Sequence, residues 1–184
     1  MTQFKLTLVL AIFLNLVFTA ASFAQHYEET DLVSDIPGKA AVTDPNLVNP
    51  WGLTRSSTSP WWVSDNGPGL STLYNGQGQI QSLVVTIPGP TAGTTGTPTG
   101  AVFNGTTDFQ LTPGNPLGNP AIFIFVTEDG TIAGWNPNVP NHSTTAVIMV
   151  NQSPQSVFKG ATIAQMNQLN TLYVADFRKG KIAV

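Results

Sequence analysis

Three acidic residues stand at the same place in three similar stretches of the chain. Asp65, Glu128 and Asp176 each end a short run made of an aromatic residue, a valine, a small residue and the acid, and turn residues follow each run. If the runs are equivalent strands, the three carboxylates meet at one rim and could bind calcium, which takes oxygen ligands. The alternative is structural, because acids at strand ends commonly accept hydrogen bonds from backbone amides of their own turn.

Other catalytic chemistry has little support in the sequence. The absence of cysteine excludes thiol catalysis, disulfides and thiolate metal sites. The two histidines, His26 and His142, lie in a terminal segment and in a Pro-Asn loop, which does not make a metal site. A Gly-x-Ser-x-Gly motif is also absent. We therefore assign no catalytic residue and expect no cofactor other than calcium.

The charge of the chain bears on its partners. Only 9% of the 184 residues are charged, whereas soluble domains average roughly 25%. The net charge is −3, and the basic residues form no stripe that could neutralise phosphates. Nucleic acid is therefore not an expected partner.

The chain begins with a segment that is typical of a secretory signal peptide. Lys5 precedes an apolar run over residues 6–18, which is too short to span a bilayer. Ser22 and Ala24 fit a cleavage site before Gln25. We predict a signal peptide over residues 1–24, no membrane span after cleavage, and a secreted, periplasmic or cell-envelope location. The alternative is an uncleaved N-terminal anchor.

The rest of the sequence predicts strands. Short runs of β-branched and aromatic residues alternate with clusters of Gly, Pro, Asn and Asp. Three hairpins are expected, of which the clearest turns at Asp129-Gly130, because a tight hairpin turn needs the positive φ that glycine tolerates. The three hairpins pair residues 61–65 with 70–75, 121–128 with 131–136, and 172–176 with 181–184.

The hairpins are parts of a repeated unit. A strand with a central glycine precedes each one, at Gly52, Gly100 and Gly160, and apolar strands over 80–87 and 144–150 follow the first two. Four antiparallel strands that recur at about 50 residues are typical of a β-propeller blade. The glycines fit innermost strands, which crowd together around the axis. The predicted fold is all-β, with blades over 49–87, 98–151 and 157–184; the alternative is a β-sandwich.

Three blades are fewer than a closed propeller requires. Closed rings typically hold about 4 to 8 blades, because a ring leaves no long exposed sheet edge. The third predicted blade lacks its fourth strand, and the strand-like residues 27–34 precede the first blade. We therefore expect residues 25–184 to be the N-terminal part of a larger propeller, with a ring of about six blades.

Several strings resemble an uncharacterised family of exported bacterial proteins. These strings cover residues 32–35, 44–53, 62–67, 123–135 and 173–177. The resemblance implies a propeller related to NHL-repeat proteins, export, and, in some members, a PEP-type C-terminal sorting signal that does not occur here. It implies no activity. A calcium site at Asp65, Glu128 and Asp176 would be similar to the metal site of propeller lactonases.

Two functions follow as hypotheses. The first is an exported, non-catalytic propeller that binds a protein or a carbohydrate. Its four tryptophans, at positions 51, 61, 62 and 135, could stack on sugar rings or pack in the core, and Trp61 and Trp62 must face opposite sides of their strand. The alternative is a calcium-dependent hydrolase of the propeller lactonase kind, with the three strand-end acids as ligands.

Overall fold

The computed structural model describes residues 27–112 and 118–184. In these two ranges the chain forms strands and turns and contains no helix, as the sequence predicts. The predicted signal peptide over residues 1–24, and His26, lie outside the described residues. The strands are β1 (Val33–Ser34), β2 (Val42–Thr43), β3 (Pro50–Thr54), β4 (Trp61–Asp65), β5 (Leu70–Tyr74), β6 (Val85–Thr86), β7 (Pro98–Phe103), β8 (Phe123–Thr127), β9 (Thr131–Trp135), β10 (Val147–Asn151), β11 (Phe158–Met166), β12 (Leu169–Asp176) and β13 (Lys181–Ala183).

Most of these strands form three antiparallel sheets in which neighbours in sequence are neighbours in space. Sheet 1 has the order β3-β4-β5-β6, sheet 2 the order β7-β8-β9-β10, and sheet 3 the order β11-β12-β13. The short strands β1 and β2 form a separate parallel pair. None of the sheets closes on itself. The three predicted hairpins are confirmed as β4-β5, β8-β9 and β12-β13.

Sheets 1 and 2 share a core of aromatic and branched side chains. The ring of Trp62 stacks on Phe123, with centroids 4.1 Å apart, and lies 4.9 Å from Trp135. Val85 and Ile87, at the end of sheet 1, are fully buried in the same cluster. Trp62 is therefore a core residue. Trp61, its neighbour on the opposite side of β4, is only partly buried.

The first strands of the sheets lie against one another at their glycines. A Cβ at Gly52 would stand 2.5 Å from the carbonyl oxygen of Thr99 on β7, and a Cβ at Gly100 would stand 3.0 Å from the Cα of Gly160 on β11. The backbones can approach this closely because glycine has no side chain. A Cβ at Gly160 itself would meet nothing within 4 Å.

Sheets 2 and 3 meet over a smaller core. Val126, Phe158 and Val174 form its buried centre. The hydroxyl of Thr99, on β7, donates a hydrogen bond of 2.8 Å to the carbonyl of Phe158 on β11. Sheet 2 is therefore packed on both of its faces, which explains why all five residues of β8 are buried.

Two expected strands differ from the observed ones. The stretch 27–34 is strand only at Val33–Ser34, and residues 27–32, which include three acids, are exposed. The expected strand over 80–87 is reduced to Val85–Thr86. Thr86 also bonds to the segment before β10, because its amide donates to the carbonyl of Thr144 at 2.8 Å and its carbonyl accepts from Ala146 at 3.0 Å. The length of β6 therefore depends on contacts with the segment before β10.

Candidate ligand-binding site

Side chains from all three sheets meet where β3, β7 and β11 begin. These strands start opposite the ends of β4, β8 and β12, since Pro50 pairs with Asp65, Pro98 with Thr127 and Phe158 with Asp176. We call the six residues that meet there the rim cluster. They are Asn49, Trp51, Asn66, Glu128, Lys159 and Phe177.

A chain of polar contacts crosses the rim cluster from sheet 1 to sheet 3. The side-chain amide of Asn49 donates to Asn66 Oδ1 at 3.1 Å, and that of Asn66 donates to Glu128 Oε2 at 3.0 Å. Glu128 Oε1 in turn accepts a hydrogen bond from the ammonium of Lys159 and forms an ion pair with it. The contacts hold four polar side chains in fixed positions relative to one another.

Two exposed aromatic rings flank the lysine of the rim cluster. The Lys159 ammonium lies 4.7 Å from the centre of the Trp51 ring and 5.6 Å from that of Phe177, within the range of cation–π contacts. Trp51 is 47% exposed and Phe177 is 73% exposed. The indole N–H of Trp51 donates to Asn49 Oδ1 at 3.2 Å, which orients the ring. Both rings therefore offer apolar surface to solvent beside fixed polar groups.

The charges of the rim cluster balance each other. The hydrogen bond from Lys159 lowers the pKa of Glu128 below its usual value, and the bond from Asn66 acts in the same direction, against the effect of burial. Glu128 is therefore a carboxylate at neutral pH, paired with an ammonium. The site carries donors and acceptors without a net charge.

Asp65 is a buried residue of sheet 1 and does not belong to the rim cluster. Its Oδ2 accepts a hydrogen bond from the amide of Thr72 on β5 at 3.0 Å, and the residue is fully buried. Burial raises the pKa of Asp65 to about 7, the bonds from Thr72 oppose this shift, and the nearby Asp44 adds to it. Asp44 itself accepts a bond of 2.8 Å from the hydroxyl of Tyr74.

Asp176 accepts backbone hydrogen bonds from its own turn and from the residue that precedes β11. Its Oδ1 accepts hydrogen bonds from the amides of Val157 at 3.3 Å and Lys179 at 3.2 Å. Burial would raise the pKa of Asp176, but the hydrogen bonds from Ser156, Val157 and Lys179 and the charge of Lys179 outweigh it, so the pKa is lowered. The structural alternative stated for strand-end acids describes this residue.

The three acids thus stand in three different environments. In residues 27–112 and 118–184, no group of three or more His, Cys, Asp or Glu side chains could hold a metal ion. The calcium site at Asp65, Glu128 and Asp176 stays a prediction. His142 is exposed on its loop, within the described part of the chain.

Sequence reasoning named Trp51 and Glu128, with Asn66 as a possible helper to the calcium ligands, and it missed Asn49, Lys159 and Phe177. The sequence contains one feature that could have indicated Lys159. Lys159 is the only lysine or arginine between Arg55 and Arg178, and it immediately precedes the glycine of its first strand. In a chain with so few charges, an isolated cation next to a crowded strand indicates a partner of opposite charge.

Comparison with known proteins finds relatives in a virus. Two uncharacterised proteins of Acanthamoeba polyphaga mimivirus are similar to this chain, one 31% identical over 158 residues and the other 33% identical over 154 residues. Each alignment covers 83% of this chain, and the chain spans 37% and 39% of the length of these relatives. No protein-family model matches the sequence.

These relatives correct one expectation. The resemblance to an exported bacterial family of NHL-related propellers is wrong, because the matching proteins are viral and nothing indicates that family or a bacterial source. The strings that carried the resemblance are strand and turn segments, such as the Asp129-Gly130 turn with Gly130 at φ 81°. Any chain of antiparallel hairpins needs such residues, so they do not identify a family.

As for membranes, the part of the chain that the structure describes contains no helix with the length and apolarity needed to cross one.

Proposed function

We propose that this chain is an exported, non-catalytic β-propeller protein that binds a neutral carbohydrate at the rim cluster. In this proposal sheets 1, 2 and 3 are consecutive blades, and β3, β7 and β11 are their innermost strands. Two observations support the arrangement. The sheets repeat one antiparallel order along the sequence, and the backbones at Gly52, Gly100 and Gly160 lie against each other in succession.

The carbohydrate proposal depends on one observation, which is the pair of exposed aromatic rings beside a fixed row of polar groups. A sugar ring presents an apolar C–H face and a rim of hydroxyls. The faces of Trp51 and Phe177 can cover the C–H face. The exposed side-chain amide of Asn49, which donates only one of its two N–H groups to Asn66, can bond the hydroxyls. Amide and carboxylate groups that hydrogen bonds already hold in place lose less conformational entropy when a ligand binds.

The charge of the cluster favours a neutral ligand over an anionic one. Lys159 is the only cation that the rim cluster contains, and Glu128 is paired with it. A phosphate or sulfate group would have to separate this pair before it could use the ammonium fully. A hydroxyl-rich ligand can bond to both partners while the pair stays intact.

The proposal is tested with the 184-residue chain on an array of neutral oligosaccharides, followed by calorimetric titration of the ligands that bind. Trp51→Ala removes one ring and should weaken binding about threefold to tenfold, the range expected for one aromatic contact. Trp61→Ala is the matched control. Trp61 is partly exposed at the opposite end of sheet 1 and contacts Arg55 instead of the rim cluster.

The binding results of the two variants and of the array distinguish the proposal from its alternatives. Weakened binding in Trp51→Ala together with unchanged binding in Trp61→Ala supports the proposal, provided that circular dichroism shows both variants folded. Equal affinity in Trp51→Ala and the unaltered chain excludes the rim cluster as the sugar site. The lack of any bound neutral sugar on the array excludes the proposed ligand class.

A further inference from the structure

A buried group of oxygen atoms lies on the face of sheet 1 that points away from sheet 2. Asp65 on β4 and Thr72 and Tyr74 on β5 contribute to it, together with Asp44 from the segment between β2 and β3. Side chains alternate along a strand, and Leu73, between Thr72 and Tyr74, packs into the core shared with sheet 2. We call Asp44, Asp65, Thr72 and Tyr74 the oxygen cluster.

Two oxygen atoms of the oxygen cluster are buried without a hydrogen-bond partner. They are Asp65 Oδ1 and Thr72 Oγ1, and both are sealed from solvent. The side chain of Thr72 influences the pKa of both Asp65 and Tyr74, so it lies close to both. A buried polar atom without a partner costs free energy, which a bound ligand would recover.

Asp65 lacks the partners that the equivalent acid of sheet 3 has. Asp65 pairs with the first residue of β3, as Asp176 pairs with the first residue of β11. The amide of Lys179, three positions after Asp176, donates to Asp176 Oδ1, and its ammonium lies 3.8 Å from Oδ2. Three positions after Asp65 stands Pro68, which has no backbone N–H and no charge. The sequence of this turn therefore leaves one carboxylate oxygen of Asp65 available.

The oxygen cluster contains two carboxylates and no cation. Neither Asp44 nor Asp65 forms an ion pair within the described residues. Asp44 contributes to the raised pKa of Asp65, as a neighbouring negative charge does. A proton on Asp65 neutralises one carboxylate and leaves the other buried and unpaired, which is costly. A divalent cation balances both.

We propose that the oxygen cluster binds one calcium ion. The carboxylates of Asp44 and Asp65 balance its charge, and the hydroxyls of Thr72 and Tyr74 are neutral ligands. These four side chains hold six oxygen atoms, and calcium takes about six to eight oxygen ligands. Magnesium usually keeps several water molecules, so a cluster that is sealed from solvent favours calcium.

The ion would attach the segment that carries Asp44 to sheet 1. The site shares only Asp65 with the set predicted from the sequence, and it includes neither Glu128 nor Asp176. It is also separate from the rim cluster, so it does not depend on the sugar-binding proposal.

The test uses the 184-residue chain, freed of metal with a chelator and titrated with calcium chloride in a calorimeter. We expect one ion to bind per chain, and binding should disappear in Asp44→Asn and in Asp65→Asn. Asp31→Asn is the matched control, because it removes the same charge from an exposed position and should bind calcium as the unaltered chain does. Magnesium chloride should bind at least about tenfold more weakly than calcium chloride.

Release of a proton distinguishes the oxygen cluster from acids on the surface. Without calcium, Asp65 has a pKa of about 7 and holds a proton at lower pH. Calcium must displace this proton, so the affinity should fall about tenfold for each pH unit below about 7. Asp44 and Tyr74 are the other titratable groups of the cluster, and burial raises the pKa of Tyr74, which keeps its hydroxyl protonated. Calorimetry in buffers of different ionisation enthalpy measures the released proton.

Thr72→Val tests the neutral ligands without a change of charge. Valine has a similar shape and favours strands, so the variant should fold, and its calcium affinity should fall about threefold to tenfold. Calcium that binds only the folded chain should also raise the midpoint of urea unfolding in the unaltered chain and in Asp31→Asn. The midpoint of Asp44→Asn should not respond to calcium. Circular dichroism establishes that each variant is folded.

Several results would overturn the proposal. Calcium binding that persists in folded Asp44→Asn places the ion elsewhere, and loss of that binding in Glu128→Gln would place it at the three strand-end acids instead. Full affinity in Thr72→Val excludes the hydroxyl as a ligand. An affinity that is constant across the pH range in which Asp65 titrates excludes Asp65, and the lack of any binding heat or shift of the unfolding midpoint excludes the site.

Discussion

Asp65 is an acid whose burial makes the stability of the protein depend on pH. Its pKa rises from 3.8 to about 7 in the folded chain, mainly because burial disfavours the carboxylate. Between these two values the folded chain holds a proton that the unfolded chain releases, so the free energy of unfolding falls as pH rises through this window. Asp65→Asn removes the titrating group and should flatten this part of the profile. At about pH 8 the variant should exceed the unaltered chain by on the order of a few kcal/mol in urea unfolding.

Asp176→Asn is the control, because it should change the free energy of unfolding at neutral pH in the opposite direction. The pKa of Asp176 is lowered, so its stabilisation is present above its ordinary pKa of 3.8 and disappears as pH falls through the lower folded value. The amide of Asn binds the amides of Val157 and Lys179 less strongly than a carboxylate does, so this variant should be less stable than the unaltered chain at neutral pH. If both substitutions changed the pH dependence of the free energy of unfolding in the same direction, the environments assigned to Asp65 and Asp176 would be contradicted.

At the scale of single elements, local chemistry explains most of what the sequence predicts. The β8-β9 hairpin follows from Asp129-Gly130, because Gly130 has a φ of 81° that other residues rarely adopt. The shortening of β6 could not be predicted, since its length depends on the bonds between Thr86 and the segment before β10. The rim cluster likewise depends on contacts between segments that are distant in the sequence. Glu128 and Lys159 are 31 positions apart, and only the packing of β7 against β11 brings them together.

The first strands of the sheets provide a test of close backbone approach. Gly52→Ala places a Cβ 2.5 Å from the Thr99 carbonyl oxygen and 2.6 Å from the Ala101 nitrogen, which are backbone atoms that cannot move aside easily. We expect a loss of about 1–3 kcal/mol in the free energy of unfolding. Gly160→Ala is the matched control, since its Cβ meets nothing within 4 Å. Equal losses in the two variants would show that the effect comes from the glycine backbone alone and not from contact between strands.

At the scale of the whole molecule, burial is uneven across the three sheets. Sheet 2 is packed on both faces, and every residue of β8 is buried. Sheet 3 is covered on the side of sheet 2 only in part, because an open apolar groove separates them near β13. All but one of the residues of β13 are exposed, and the remaining one is half-buried. Within the described residues, β8 is therefore the most buried strand of the three sheets and β13 is among the least buried.

This gradient predicts the order in which parts of the molecule open. Backbone amides exchange with solvent through local openings whose free energy follows the buried contacts of each element. Amides of β13 should therefore exchange first, those of β11 and β12 next, and those of β8 last, at a rate near that of global unfolding. Native-state hydrogen exchange with mass spectrometry or NMR measures this order directly. Trp62→Ala, which removes the ring stacked on Phe123, should speed exchange in β4 and β8 more than in β13. Uniform exchange rates across β8 and β13 would mean that the three sheets open as one cooperative unit, and the exposed edge would then have no separate stability.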